Sequence, residues 1–290
     1  MQIEKNASPY TIEFYQKDLD TFYLFLKREG INQIEDVDHR VVRIFLTDLY
    51  DKKLSRRSVS RIISCLRSFY RFLEREQKVS RNPFIEIQLP KAEKPIPNFL
   101  YEEELIKLFE INDLSNPIGQ RDQAIIETLY ATGIRVGECQ GLLLEDIDFT
   151  IGSMFIKGKG KKERYVIFGQ FAENALNTYI NHGRKVLLKD KQPTDSVFLN
   201  ARGAPLTTRG IRHILTKMVE KAALTVHVHP HKLRHTFATH MLNEGADLRT
   251  VQELLGHENL SSTQIYTHVT KDHLRNIYMN SHPRANHDQE

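Results

Sequence analysis

Apolar residues Ile12, Phe14, Tyr15, Leu19, Phe22, Tyr23 and Leu26 recur at three- and four-residue steps, the spacing of one helical face. The pattern predicts a helix over residues 9–28, with Ser8-Pro9 as cap and first turn and Gly30 as the stop. A second helix is expected over about residues 40–52. A third opens at Ser55 and runs to about residue 76, with Val59, Ile62, Ile63, Leu66, Phe69, Tyr70 and Leu73 on its apolar side. Tyr15, Tyr23 and Tyr70 read as core residues of these helices. Over residues 81–97 the periodicity stops and prolines mix with Lys and Glu, which reads as an extended linker.

Beyond the linker the pattern is mixed. Helices are predicted over residues 101–110 and 121–131. Short β-branched and aromatic runs over residues 146–149, 153–157 and 164–168, separated by glycine-rich turns, predict a small antiparallel sheet. Helices over residues 170–186 and 208–222 flank a short strand at Ser196-Val-Phe-Leu. Pro230 opens a helix that Gly245 ends, and Asp247 caps another that stops at Gly256. Ser261-Ser262 caps the segment carrying Tyr266. A last helix over residues 271–280 places Leu274, Ile277 and Tyr278 on one side; too short to stand alone in water, it must dock. The expected fold class is mainly α with a small antiparallel β-sheet (α+β): a helical domain over 1–80, linker 81–97, larger domain 98–280 and tail 281–290.

Composition narrows the class. With 290 residues, 40% apolar and 27% charged, the chain suits two soluble globular domains. No apolar run reaches the ~18–20 residues of a membrane span and no secretory leader is evident, so a cytoplasmic location and no membrane partner are expected. Cys65 and Cys139 sit in apolar helical patterns and read as small core residues. The net charge of +4 decides little, but its distribution does. Residues 52–81 hold ten Lys and Arg against only Glu74 and Glu76. Arg57, Arg61, Ser64, Ser68, Arg71 and Arg75 fall on one helical stripe, with Arg67 nearby. A one-signed stripe repels itself unless a polyanion meets it, so Arg57, Arg61, Arg67 and Arg71 are candidate DNA-backbone contacts; the bland alternative is a solvated face.

The densest chemistry lies between His231 and Tyr266. His231-Lys-Leu-Arg234-His is followed by Leu254-Leu-Gly-His257 and, nine positions later, by Tyr266. These residue types could act on a phosphodiester: an Arg to hold the anion, His to move protons, Tyr to attack. A free tyrosine, with a pKa of about 10, needs a base and positive charge beside it. Upstream, Gly133 allows a tight turn that presents Arg135 where a helix begins, with Glu138 one turn on. The turn Gly158-Lys159-Gly160-Lys161-Lys162 offers loop lysines. Alternating His227, His229 and His231 could suggest a metal, but strand-like alternation does not converge on one ion and no cysteine joins them, so no metal and no cofactor is expected.

These motifs resemble the tyrosine recombinases of the phage integrase family, and the run from His227 to Leu242 resembles the Xer type. The resemblance implies an N-terminal helical SAM-like core-binding domain and a C-terminal catalytic domain that clamp DNA. It implies a catalytic set of Arg135, Lys159 (24 positions after Arg135), His231, Arg234, His257 and Tyr266, with Glu138 supporting. Cys139 stands where the family commonly has Leu. The implied activity is site-specific DNA cutting and rejoining through a 3′-phosphotyrosine, resolving chromosome and plasmid dimers for segregation at cell division. The implied partners are a double-stranded DNA recombination site, a XerD-type recombinase in a heterotetramer, and a DNA translocase of FtsK/SpoIIIE type. The last helix would dock on a neighbouring subunit, and the chain would begin inside the first family helix, lacking about a dozen residues. A phage- or transposon-type integrase, a type IB topoisomerase-like relaxing enzyme and a non-catalytic DNA-binding protein are the alternatives.

Overall fold

The computed structural model describes residues 9–87, 99–158, 163–189, 192–224, 228–256 and 268–285. The chain divides into two units, Met1–Pro95 and Ile96–Glu290. In the first, α1 (Pro9–Arg28), α2 (His39–Asp51) and α3 (Arg56–Arg75) follow the apolar periodicity. Asp38 and Ser55 start α2 and α3 by accepting from the backbone N–H of Val41 and Ser58, which would otherwise lack partners. Phe45 meets Phe22 and Phe25 at 5.0 and 4.9 Å between ring centroids, and Tyr70 and Phe84 complete this core.

Helix α1 departs from its expected face. Tyr23 is 64% exposed, so it is not a core residue, while Tyr15 is half-buried and Tyr70 fully buried. The buried side of α1 runs through Asp18, Phe22, Phe25 and Leu26. Its partner helix α3 covers a stripe narrower than the seven apolar positions, and the marginal ones face water. Asp18 is tolerated inside because Arg61 of α3 pairs with it.

The second unit runs α4 (Glu102–Glu110), α5 (Pro117–Thr132), α6 (Val136–Gln140), β1 (Ile147–Asp148), β2 (Ser153–Lys157), β3 (Glu163–Ile167), α7 (Gln170–Thr178), α8 (Arg184–Leu188), α9 (Thr208–Lys221), α10 (Pro230–Asn243), α11 (Leu248–Leu255) and α12 (His268–Ser281). Helix α5 is buried from Ala124 to Thr132, polar Glu127, Thr128 and Thr132 included, with α4, α7, α9 and α10 packed around it. The sheet is antiparallel in the order β1-β2-β3. Its register sets Met154 opposite Val166 and Ile156 opposite Arg164, all four buried. Both cysteines are buried, and burial pushes the Cys65 thiol up to about 12.

Three expectations change. The single helix over 170–186 is interrupted by a π turn, Tyr179–Gly183, between α7 and α8. A Cβ at Gly183 would meet Gln120 Oε1 at 2.7 Å, so the turn brings backbone against the start of α5. Residues 196–199 form no strand; they make isolated bridges, Leu143 with Ser196 and Leu199 with Pro205. Scattered partners replace the ladder: Arg184 and Arg121 donate to the Ser196 and Leu199 carbonyls, the Tyr179 hydroxyl accepts from Leu199 N, Val197 N donates to Leu142 O and Leu206 N to Phe198 O.

Helix α12 is longer than expected and docks on its own chain. Leu274 and Tyr278 bury with Ile167, Phe237, Met241 and Leu254. The following residues explain why the cis arrangement holds. Tyr278 stacks on His282 at 4.7 Å, and Gln170 N donates to Ala285 O. Arg284 lies between the Phe109 and Phe171 rings, 4.0 and 3.8 Å from their centroids, and pairs with buried Glu127. Among the described residues no helix is long and apolar enough to cross a membrane.

Candidate active site

The site begins where α5 ends. Gly133 adopts φ +59°, and a Cβ there would come within 2.7 Å of Phe237 and 2.8 Å of Leu255. Glycine therefore lets the chain turn against both neighbours and puts Arg135 at the N-cap of α6. One turn on, Glu138 folds back: Oε2 accepts from Arg135 N at 2.8 Å and Oε1 from Arg135 Nη1 at 3.0 Å. The Arg135 side chain remains half exposed, while that of Glu138 is buried.

Arg234 approaches from α10. His229 caps this helix by accepting from Lys232 N, and Pro230 fills its first turn. Arg234 is 5% exposed; its Nη1 donates to Gly133 O at 2.7 Å and its Nη2 to Leu255 O at 2.6 Å. Burial first, then the charges of Arg135 and Arg164, bring its pKa down to about 10 against the opposing pull of Glu138. It remains a cation at neutral pH.

Arg164 completes the cluster from β3. Its Nη1 and Nη2 donate at 3.0 Å each to the two Glu138 oxygens, and its Nε donates at 3.0 Å to Leu254 O. Burial works to raise the Glu138 carboxyl, but the Arg164 fork, with Arg135 behind it, holds it below its ordinary value. Two guanidinium groups thus bind one carboxylate and a third, Arg234, lies within its electrostatic reach, so an excess of positive charge is left for an anion.

The last turn of α11 ties the three together. Asp247 caps its start, and Gly256, at φ +66°, ends it. Its terminal carbonyls, which have no partner within the helix, are shared out: Leu254 O to Arg164, Leu255 O to Arg234 and Gly256 O to Arg135 at 3.4 Å. The negative end of a helix dipole therefore faces a cationic cluster, a favourable pairing.

Of the residues singled out by sequence, Arg135, Glu138 and Arg234 come together here. His231 is exposed in the first turn of α10, its ring 6.4 Å from that of His229. Lys159, His257 and Tyr266 lie outside the described residues, although Gly256 leads directly into His257. Arg164 was missed as a member of the site. The signal for it was an arginine at an inward position of a strand, two residues before Val166 and on the same face.

In the first unit the candidate arginines separate. Arg57 and Arg71 are exposed on α3. Arg61 pairs with Asp18 and lies over the Phe14 ring at 5.3 Å. Arg67 is half-buried and donates at 3.1 Å each to Phe84 O and Ile87 O, holding the segment after α3 against that helix.

Comparison with known proteins decides the family. Residues 98–273 match the phage integrase family, and residues 1–77 match the phage integrase N-terminal SAM-like domain. The chain belongs to the phage integrase family of tyrosine recombinases. The tyrosine recombinase XerC of Oceanobacillus iheyensis is 68% identical over 287 residues, covering 99% of this chain and 94% of that protein. That of Bacillus subtilis is 58% identical over 286 residues, covering 98% and 94%. A solved structure of XerH recombinase bound to a palindromic difH substrate, a post-cleavage complex, is 25% identical with a TM-score of 0.71, covering 95% of this chain and 81% of that one. This family member is accordingly a tyrosine site-specific recombinase, mainly helical with a small antiparallel sheet.

Proposed function

We propose that this recombinase cuts and rejoins double-stranded DNA at a specific recombination site through a 3′-phosphotyrosine, using Tyr266 as nucleophile. The observation that supports the chemistry best is the arginine cluster on the end of α11. Arg135 and Arg234 are pinned before substrate arrives, so they hold the non-bridging phosphate oxygens without reorganising. Two of the five N–H donors of Arg234 are committed to carbonyls of described residues, which fixes the plane of the fork.

The Tyr266 oxygen attacks phosphorus and its proton passes to His231. The bond from phosphorus to the 5′-oxygen breaks, and Lys159 protonates the leaving oxygen. His257 adds a hydrogen bond to the charge that builds on the phosphate. The phosphotyrosine conserves the bond, so rejoining to a second duplex needs no ATP, and arginines rather than a metal ion neutralise the phosphate. Similarity to proteins named XerC supports a role in resolving chromosome and plasmid dimers, with a XerD-type recombinase completing a heterotetramer and an FtsK/SpoIIIE-type translocase as activator.

Tyr266→Phe tests the nucleophile. It is expected to abolish covalent trapping on a nicked duplex while leaving DNA affinity near normal; adducts persisting in that variant would overturn the assignment. Cleavage is expected to proceed in EDTA, and a strict divalent-metal requirement for the chemical step would contradict the mechanism.

A further inference from the structure

Arg164 behaves differently from the other two arginines of the cluster. Only 6% of its surface reaches solvent, and both edges of its guanidinium are in use, on Glu138 and on Leu254 O. Its partner carboxylate is saturated. The four lone-pair positions of Glu138 take Arg164 Nη1, Arg164 Nη2, Arg135 Nη1 and Arg135 N. Close packing adds a second constraint, since a Cβ on Gly256 would lie 3.1 Å from Arg164 Cδ. Arg164 therefore touches both supports of the anion site: the acid that orients Arg135, and the helix end whose next two carbonyls orient Arg234 and Arg135.

We propose that Arg164 is a positioning residue for strand cleavage, locking Glu138 and the end of α11 into the one geometry that aligns Arg135 and Arg234 on the phosphate. The inference rests on the phosphate-binding roles proposed above for those two arginines. Arg164 does not reach the substrate itself. It acts by keeping Glu138 ionised and immobile and by fixing the turn from which the chain enters His257. A misplacement of about 1 Å at such a distance from the chemistry costs roughly 10²-fold in rate.

The charged groups facing Glu138 are Arg135 from its own helix, Arg164 from β3 and Arg234 from α10. Without Arg164, burial acts on the carboxyl against a weaker opposing charge, and it takes up a proton more readily. A protonated Glu138 loses its charge and becomes a weaker acceptor for the two Arg135 donors.

The experiment is single-turnover covalent adduct formation on a nicked duplex, followed from about pH 8 to 6, with half-site affinity measured alongside. Arg164→Gln is expected to slow adduct formation by about 10- to 100-fold at an affinity within about threefold of wild type. It should also acquire an additional acid limb: the ratio of its rate to the wild-type rate should fall with pH, any loss from protonating the His231 base being common to both. Glu138→Gln placed in the same chain should remove that limb. If Arg164→Gln does not fold, Arg164→Lys carries the test: it keeps the charge but not the fork, and is expected to cleave about 10-fold more slowly with the same pH profile as wild type. Wild-type rates in Arg164→Lys, or a rate loss in Arg164→Gln that is matched by lost affinity and is constant relative to wild type across the pH range, would overturn the proposal. An absence of adduct in the wild-type control would instead strike the phosphotyrosine reading, and this inference with it.

Discussion

The two units of this recombinase both use arginine, and they use it in opposite ways. In the second unit Arg164 and Arg234 are buried, each donating to backbone carbonyls at the end of α11, with Glu138 as the shared counter-charge. In the first unit Arg57 and Arg71 stand exposed on α3, Arg61 is exposed too but pairs with buried Asp18, and Arg67 is turned inward on the Phe84 and Ile87 carbonyls. A run of basic residues in sequence thus mixes two kinds: those that hold the protein together and those left to meet a polyanion. Burial and donor direction separate them.

The largest effect expected from breaking this contrast is on stability. Glu138→Ala leaves Arg164 as a buried charge without its counter-ion, and should lower the unfolding free energy by about 3–5 kcal/mol in urea titrations. Because the Glu138 pKa lies below its ordinary value when folded, its contribution is full above roughly pH 4.5 and is lost as pH falls through the lower folded value. Glu138→Ala should therefore show a shallower loss of stability in acid than wild type. An unchanged acid slope would mean that the carboxylate is not held ionised by its arginines.

Next comes Arg234→Ala, which should slow covalent adduct formation by about 10²–10³, the scale of losing one charge-stabilising donor. Wild-type rates would remove Arg234 from the site. Smaller again, Arg67→Ala should destabilise the first unit by about 1.5–3 kcal/mol, since two hydrogen bonds from a charged group are lost. It should leave the salt dependence of DNA binding unchanged. The least disruptive changes, Arg57→Gln and Arg71→Gln, should alter stability by no more than about 0.5 kcal/mol yet each flatten the salt slope of binding by roughly 1. If Arg67→Ala flattens that slope and Arg57→Gln does not, the division between inward and outward arginines is wrong.

Much of the architecture was legible because it is local. The helices of the first unit followed their apolar spacing, Ser55 and Asp247 acted as caps, and Gly133 placed Arg135 and Glu138 one turn apart. What escaped depends on contacts distant in sequence. Arg164 meets Glu138 across 26 residues and Leu254 across 90, and nothing within strand periodicity names those partners. Tyr23 looked like core because a seven-residue apolar stripe exceeds the width that α3 covers. The cis docking of α12 turned on Arg284 and His282, which lie beyond the helix and carry no periodic signal. The buried run Val197-Phe198-Leu199 imitated a strand, but its partners are scattered: loop backbone at Leu142 and Leu206 for Val197 and Phe198, and the side chains of Arg121 and Tyr179 for Leu199.

The central claim is that arginines pinned at the end of α11 act on the phosphate during bond breaking rather than merely attracting DNA. Arg135→Ala tests it most directly, because this side chain is half exposed and its removal disturbs packing least. Adduct formation on a nicked duplex and half-site affinity should be measured on the same preparation. The account predicts cleavage slowed by about 10²–10³ with affinity within about threefold of wild type. A loss of affinity as large as the loss of rate, or no loss of rate at all, would contradict it.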